Sequence, residues 1–148
     1  MLILGSSSSA RYELLVEAGL KPSKVLAPEI DESQNDLESS IHYVKRMAIE
    51  KAISLNSKSD DLLITADTVV VSNRKVLHKT AEKKIARKHL ETLSGKRHRV
   101  FTAVAIKHHD KLMCFSVKTI LKMKRLSNKE IDQYIMTKEW IGKAGAYS

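Results

Sequence analysis

The chain has 148 residues but only one cysteine, Cys114, and only 5 glycines and 2 prolines. A single cysteine cannot form an internal disulfide framework or a cysteine-rich zinc site, and it is typical of a reducing, cytoplasmic setting. The scarcity of glycine and proline excludes collagen-like and low-complexity classes. Hydrophobic residues make up 43% and charged residues 29% of the chain, so the composition predicts a soluble globular chain of one domain.

Long hydrophobic runs are absent as well. No stretch approaches the roughly 18 consecutive apolar residues that a membrane span needs. Residues 1–5 read M-L-I-L-G, which has no basic leader and too short an apolar run for a signal peptide. The sequence therefore predicts that the protein has no membrane partner and that its first strand begins almost at once.

Acidic and aromatic residues are few. The chain has 26 Lys and Arg against 17 Asp and Glu, a net charge of +9, and 5% aromatic residues. The charge favours anionic partners, namely nucleic acid, nucleotides or acidic membranes, without choosing among them. A chain with few aromatic residues has few side chains that can stack on bases. The basic runs at 83–88, on the outer face of a helix, and at 96–99, in a loop, are typical of a solvated surface. Nucleic acid is therefore the less favoured partner.

Several motifs of known chemistry are missing. The sequence contains no G-x-x-x-x-G-K-[ST], no G-x-G-x-x-G and no G-x-S-x-G, so the common phosphate-loop, dinucleotide and nucleophile-elbow readings have no support. The six histidines show no metal-ligand spacing. Chemistry has to be sought in other residue types.

Strand and helix patterns alternate along the chain. Hydrophobic periodicity, turn residues and a capping box at Ser127 and Glu130 define the predicted elements. This interleaving predicts an α/β fold with a mixed, twisted sheet and flanking helices. The predicted strands are 2–5, 24–27, 62–71, 100–106 and 112–123, with a short return segment ending near Leu77, and the predicted helices are 9–18, 36–55, 82–93 and 127–136. The apolar pattern of 62–71 predicts a central strand covered on both faces, and a turn at 109–110 predicts a hairpin of 100–106 and 112–123.

The serine run at 6–9 lies between the first strand and the first helix. A helix N-terminus offers unpaired N–H groups and the positive end of the dipole, so this segment is a candidate phosphate site in which Ser6, Ser8 and Arg11 supply donors. The alternative is that Ser8 or Ser9 only caps the helix.

Asp67 interrupts the most apolar predicted strand. A carboxylate in an apolar strand is costly unless a metal or a hydrogen-bond network receives it, so Asp67 is a candidate metal ligand or general base. The alternative is a solvated carboxylate at the end of the strand.

Lys51 falls on the apolar stripe of the second helix, where a buried ammonium needs an anion. Asp67, Glu32 or a substrate phosphate could supply it, and the alternative is a side chain that extends to solvent at the edge of the stripe. Glu32 belongs to an acidic loop, with Glu29 and Asp31, which could hold Mg²⁺. Lys79 could reach a phosphate or be an ordinary surface lysine.

In order along the chain, these segments resemble the Maf family, the so-called septum-formation-inhibitor proteins. Residues 4–15 read L-G-S-S-S-S-A-R-Y-E-L-L, similar to the family's L-A-S-x-S-P-R-R-x-E-L-L. Further along, E-I-D-E at 29–32 resembles D-I-D-E, and E-K-A at 50–52 and A-D-T-V-V at 66–70 match family motifs. L-H-K at 77–79, L-S-G-K-R-H-R-V at 93–100 and K-A-G-A-Y at 143–147 resemble L-G-K-P, L-S-G-x-x-H-x-V and K-A-G-A-Y.

The resemblance implies a nucleoside triphosphate pyrophosphatase that cleaves between the α and β phosphates, with Mg²⁺ or Mn²⁺ as cofactor. It implies a Maf/ITPase-like fold with two lobes around a cleft, often as a homodimer, and the A-D-T-V-V and K-A-G-A-Y forms resemble the branch that acts on dTTP and UTP. The implied roles are phosphate binding by Ser6, Ser8, Arg11 and Lys79, phosphate neutralisation by Lys51, metal binding by Glu32 and Asp67, and water activation by Asp67.

The sequence departs from the family pattern at three positions and at its C-terminus. Ser9 and Thr80 replace prolines, and Ala10 replaces an arginine. Family members continue beyond K-A-G-A-Y with I-Q-G, strands and a helix, so the expectation is a single domain, 1–148, that lacks this segment. These departures motivate a competing hypothesis, an inactive relative that binds nucleotide or a protein partner. The basic charge of the chain leaves a third, a nucleic-acid-binding protein.

Overall fold

The computed structural model describes residues 1–148 and contains one six-stranded sheet with four α-helices. The elements are β1 (Leu2–Gly5), α1 (Ser9–Glu17), β2 (Lys24–Leu26), α2 (Ser40–Ser54), β3 (Leu62–Ser72), β4 (Lys75–Leu77), α3 (Lys83–Leu93), β5 (Arg97–His108), β6 (Lys111–Lys122) and α4 (Asn128–Thr137). The sheet is mixed, because β1 pairs in parallel with both β2 and β3, whereas β4 pairs antiparallel with β3. The predicted α/β class with a mixed sheet is therefore confirmed.

The strand order is β2-β1-β3-β5-β6, with β4 on β3. β3 lies inside the sheet, and its Leu63, Val69 and Val70 are buried. Its apolar and β-branched side chains suit a strand that is covered on both faces, as its sequence predicts. β5 and β6 are joined by a two-residue turn in which His109 has a positive φ of 52°, so the predicted hairpin is also confirmed.

Local capping explains where two helices begin. Ser127 accepts a hydrogen bond from the N–H of Glu130, and the Glu130 carboxylate accepts one from the N–H of Ser127, which confirms the predicted capping box. Helix α2 was expected from residue 36 but begins at Ser40. Leu37 has a left-handed backbone (φ 62°) and is fully exposed, and the Ser39 side chain caps the helix instead.

A second boundary also differs from the prediction. The basic run at 96–99 was expected in a loop, but β5 already begins at Arg97. Alternation within the strand explains this, since His98 is buried while Arg97 and Arg99 are exposed. The exposed arginines on one face of β5 made its first residues resemble a polar loop in the sequence.

The chain divides into two compact units. The first unit comprises residues 1–67 and 102–116, and the second comprises 68–101 and 117–148. The first contains 9 Lys and Arg and 12 Asp and Glu, a net charge of −3, whereas the second contains 17 and 5, a net charge of +12. The excess positive charge of the chain therefore belongs wholly to the second unit.

Each unit has its own apolar core. In the first unit, α2 buries one face that includes Val44, Met47 and Ala48, and these residues have no exposed surface. In the second unit, α3 and α4 contribute Leu90, Ile131 and Ile135 to a cluster with Trp140 and Ala146. No helix in the structure is long and apolar enough to cross a membrane.

Candidate active site

The ammonium of Lys51 is held between two carboxylates in the first unit. Its Nζ lies 2.7 Å from Oδ1 of Asp67 and 2.7 Å from Oε1 of Glu32. Lys51 and Asp67 are both buried, with 4% and 5% of their surface exposed, whereas the Glu32 side chain is half-exposed. The two anions proposed from the sequence as alternative partners of Lys51 therefore bind it together, and its side chain does not extend to solvent.

Asp67 lies in the middle of β3 and not at a solvated strand end. The hydroxyl of Thr65, two residues earlier, donates to the carbonyl of Ala48 on α2 at 2.7 Å. This buried hydrogen bond fixes the strand to the helix that carries Lys51. The sequence-based alternative of a solvated Asp67 is wrong, because the strand continues for five residues beyond it.

The loop between β2 and α2 supplies Glu32. Of its three candidate acidic residues, Glu32 is the one that pairs with Lys51. The carboxylate of Asp31 instead accepts a hydrogen bond from the N–H of Ser33 at 2.9 Å, which lowers the pKa of Asp31. Glu29 is exposed. The acidic loop therefore contributes one carboxylate to the cluster formed by Lys51, Asp67 and Glu32.

The serine run and Arg11 meet the same cluster from the N-terminal side. Arg11 Nη1 donates to Ser6 Oγ at 3.0 Å and to the carbonyl of Ala66, the residue before Asp67, at 2.9 Å. Burial lowers the pKa of Arg11, an effect that the charges of Asp67 and Glu32 oppose. Arg11 thus links the start of α1 to the strand that carries Asp67.

Ser8 is the N-cap of α1, since its Oγ accepts from the N–H of Arg11 at 3.4 Å. This is the capping role that the sequence left open, and a phosphate role for Ser8 stays a prediction. Ser6 is 5% exposed and accepts from Ser8 N–H and from Arg11. Ser6, Arg11, Lys51, Glu32 and Asp67 are therefore brought together in one unit.

Lys79 is not part of this grouping. It is exposed, it follows β4, and it belongs to the second unit. Its predicted phosphate contact stays a prediction.

The donor set suits a divalent cation that is shared with a substrate. The structure contains no cluster of three or more His, Cys, Asp or Glu able to enclose a metal, but the carboxylates of Glu32 and Asp67 converge on one ammonium. Mg²⁺ is commonly held by one or two carboxylates, with water and phosphate oxygens completing its shell. Two carboxylates are therefore sufficient for a site of that kind.

Sequence reasoning missed Tyr43. This residue lies two turns before Lys51 on α2, and its buried hydroxyl donates to the carbonyl of Glu32 at 2.6 Å. Burial and the charges of Asp67 and Glu32 raise its pKa to about 12. A polar hydroxyl on an apolar helix face was the available signal, because a buried Tyr usually has a hydrogen-bond partner.

Comparison with known proteins finds relatives that match almost the whole chain. A dTTP/UTP pyrophosphatase of Cereibacter sphaeroides is 42% identical over 147 residues, which is 99% of this chain and 77% of that protein. A nucleoside triphosphate pyrophosphatase of Neorickettsia sennetsu is 46% identical over 148 residues, covering 99% and 71%. A dTTP/UTP pyrophosphatase of Zymomonas mobilis is 43% identical over 149 residues, covering 99% and 74%.

Among solved structures, a HAM1 protein from Coxiella burnetii is similar over 84% of this chain and 73% of that one, with 14% identity and a TM-score of 0.48. The profile of the family described as Maf-like protein matches residues 1–148. The resemblance noted in the sequence is confirmed, and the chain belongs to the Maf-like protein family.

Proposed function

We propose that this protein is a nucleoside triphosphate pyrophosphatase that hydrolyses the α–β anhydride to a monophosphate and pyrophosphate. The observation that carries the proposal is the buried Lys51 between Glu32 and Asp67, next to Arg11 and the start of α1. Phosphoanhydride hydrolysis needs charge neutralisation, an oriented water and a bound leaving group. The cluster contains a group suited to each of these tasks.

Phosphate binding falls to the N-terminal end of α1. Ser6 is an acceptor in both of its hydrogen bonds, so its own proton can be donated to a phosphate oxygen. The helix N-terminus favours negative charge. Lys51 supplies an ammonium that can turn from a carboxylate to a phosphate oxygen, and Lys79 is proposed as a further phosphate contact.

Asp67 is the proposed general base. Its Oδ1 contacts Lys51, so its second oxygen can accept the proton of the attacking water. As the water oxygen bonds to phosphorus, its proton passes to Asp67 and the anhydride P–O bond breaks, which releases pyrophosphate. Lys51 stabilises the charge that develops on the phosphate oxygens in this step.

Glu32 and Asp67 are the residues that would hold a divalent cation, Mg²⁺ or Mn²⁺. Such a cation supplies charge neutralisation and orients the substrate phosphates. The charges of this unit support the proposal, because Glu32 and Asp67 balance Lys51 and Arg11 and the unit as a whole is net negative, at −3. A highly charged triphosphate would otherwise meet no net positive charge within this cluster.

Pyrimidine nucleotides are the proposed substrates. The relatives from Cereibacter sphaeroides and Zymomonas mobilis are named dTTP/UTP pyrophosphatases, and the A-D-T-V-V and K-A-G-A-Y segments resemble that branch. The same resemblance supports a homodimer, which sedimentation equilibrium of the purified chain would check. The single cysteine, Cys114, supports a cytoplasmic setting.

The experiment that tests the proposed function is pyrophosphate release from dTTP, UTP, CTP, ATP and 7-methyl-GTP. Each nucleotide is supplied with Mg²⁺, with Mn²⁺ or with EDTA, and Asp67→Asn gives the background. We expect release from dTTP and UTP that EDTA abolishes and that added Mg²⁺ or Mn²⁺ restores. Release of phosphate in place of pyrophosphate, or no release from any nucleotide, would contradict the proposal.

A further inference from the structure

The loop that carries Glu32 contains no helix or strand. It runs from the end of β2 at Leu26 to the start of α2 at Ser40, and it must still place one carboxylate against a buried ammonium. Several of its hydrogen bonds are internal, such as Ser33 N–H to Asp31 and Gln34 to the carbonyl of Glu38. Internal bonds shape a loop but do not fix it to the rest of the molecule.

Besides the ion pair between Lys51 and Glu32, two side chains of α2 attach the backbone of this loop to the helix. Tyr43 Oη donates to the carbonyl of Glu32 at 2.6 Å, and Arg46 Nη2 donates to the carbonyl of Ser33 at 2.9 Å. Arg46 also forms a two-pronged contact with the Glu38 carboxylate at 2.8 and 2.7 Å. The loop is thus held at the residue that pairs with Lys51 and at the residue after it.

Tyr43 is the residue that holds the backbone of Glu32 directly. It is 3% exposed, and the guanidinium carbon of Arg46 lies 5.6 Å from the centre of its ring. Its hydrogen bond to the carbonyl of Glu32 is 2.6 Å long. This contact defines the position of the Glu32 backbone, and hence the reach of its carboxylate.

We infer that Tyr43 is a positioning residue that holds Glu32 where it can share a divalent cation with Asp67. The inference rests on the proposed function for its metal, because Glu32 and Asp67 are the residues assigned there to the cation. Tyr43 makes no contact with the reacting atoms in this assignment. Its hydrogen bond defines the geometry of a ligand, and such outer contacts are commonly worth ten- to hundredfold in metal affinity.

The test compares Tyr43→Phe with the wild-type chain by binding of Mn²⁺, measured by electron paramagnetic resonance. The nucleotide present is a UTP analogue with an imido bridge between its α and β phosphates, so no turnover is required. We expect Mn²⁺ affinity to fall about tenfold. In turnover assays the Mn²⁺ concentration for half-maximal rate should rise by a similar factor, with a much smaller change in kcat at saturating Mn²⁺.

A matched control and a double-mutant cycle separate positioning from general stability. Tyr134→Phe also removes a buried tyrosine hydroxyl, but one that has no hydrogen-bond partner, so Mn²⁺ affinity should not change. Tyr43→Phe should lose its effect in a Glu32→Gln background, because the group that it positions no longer carries the charge. Equal effects in both backgrounds would overturn the inference.

Other outcomes are also decisive. Mn²⁺ affinity of Tyr43→Phe within about twofold of wild type, or no Mn²⁺ binding by the wild-type chain, would overturn the role of Tyr43. A wild-type chain that binds Mn²⁺ with the analogue but releases no pyrophosphate from any nucleotide would instead contradict the proposed function, and the positioning role would stand.

Discussion

Lys51 and Asp67 form a buried ion pair, with Nζ and Oδ1 2.7 Å apart, although they lie on a helix and a strand and are 16 residues apart in sequence. Burial of two charges costs solvation free energy that one attraction does not reliably repay. Here the ammonium also contacts Glu32, so it is paired twice. A cluster of this kind is weak as a device for stability and well suited to chemistry on anions.

Asp67→Asn should remove turnover while the fold is retained. The amide cannot accept the proton of a water, and loss of a general base typically lowers the rate by about 10²–10⁴-fold. Lys51 keeps Glu32 as its partner, so the variant should fold and give a normal circular dichroism spectrum. The matched control is Asp60→Asn, whose carboxylate is 92% exposed. Equal pyrophosphate release by wild type and Asp67→Asn would remove Asp67 from the mechanism.

Lys51→Met should lower both activity and stability. The change leaves the buried Asp67 carboxylate without its cation, and breaking a buried pair costs about 3 kcal/mol in the free energy of unfolding. Chemical denaturation measures this loss, and pyrophosphate release measures the loss of phosphate neutralisation. Lys45→Met, on the same helix but outside the cluster, is the control. An active Lys51→Met with reduced stability would mean that Lys51 is purely structural.

The Lys51–Asp67 pair could be predicted because both residues break an apolar pattern. Asp67 interrupts a strand and Lys51 interrupts a helix stripe, and each exception demands a partner. The capping box of α4 was equally visible, since its residues are close in sequence. Patterns with a local cause were therefore recovered with accurate bounds.

The position of Glu32 could not be predicted in the same way. The loop between β2 and α2 contains five acidic residues. Tertiary contacts with α2 select Glu32 among them. The first residues of α2 were also misassigned, because the left-handed backbone of Leu37 leaves no mark on the hydrophobic pattern. Local hydrophobic periodicity does not predict loop geometry that depends on side chains distant in sequence.

Gly145→Ala should destabilise the second unit much more than Gly142→Ala. Both glycines have a left-handed backbone, with φ of 68° and 69°, but a Cβ at Gly145 would lie 2.9 Å from Val70 Cβ and Cγ1, whereas nothing lies within 4 Å at Gly142. Left-handed backbone alone costs an L-residue about 1 kcal/mol, and forced overpacking adds about 2 kcal/mol more at Gly145. Equal losses for the two variants in urea denaturation would contradict the close packing against Val70.

His98 should make the stability of the fold depend on pH. It is 3% exposed, its Nε2 lies 2.7 Å from Tyr147 Oη, and burial lowers its pKa below the ordinary 6.5. As pH falls below about 6.5, the unfolded chain takes up the His98 proton before the folded chain does, so the free energy of unfolding decreases until pH reaches the folded-state pKa. His98→Gln removes this titration. Between pH 7.5 and 5.5, the melting temperature should therefore fall less for His98→Gln than for wild type. The control is His42→Gln, a change at an exposed histidine, and its melting temperature should depend on pH as that of wild type does. If the melting temperatures of His98→Gln and wild type fall in parallel with pH, His98 has the same proton affinity in the folded and unfolded chains. That result would contradict the effect expected from the burial of His98.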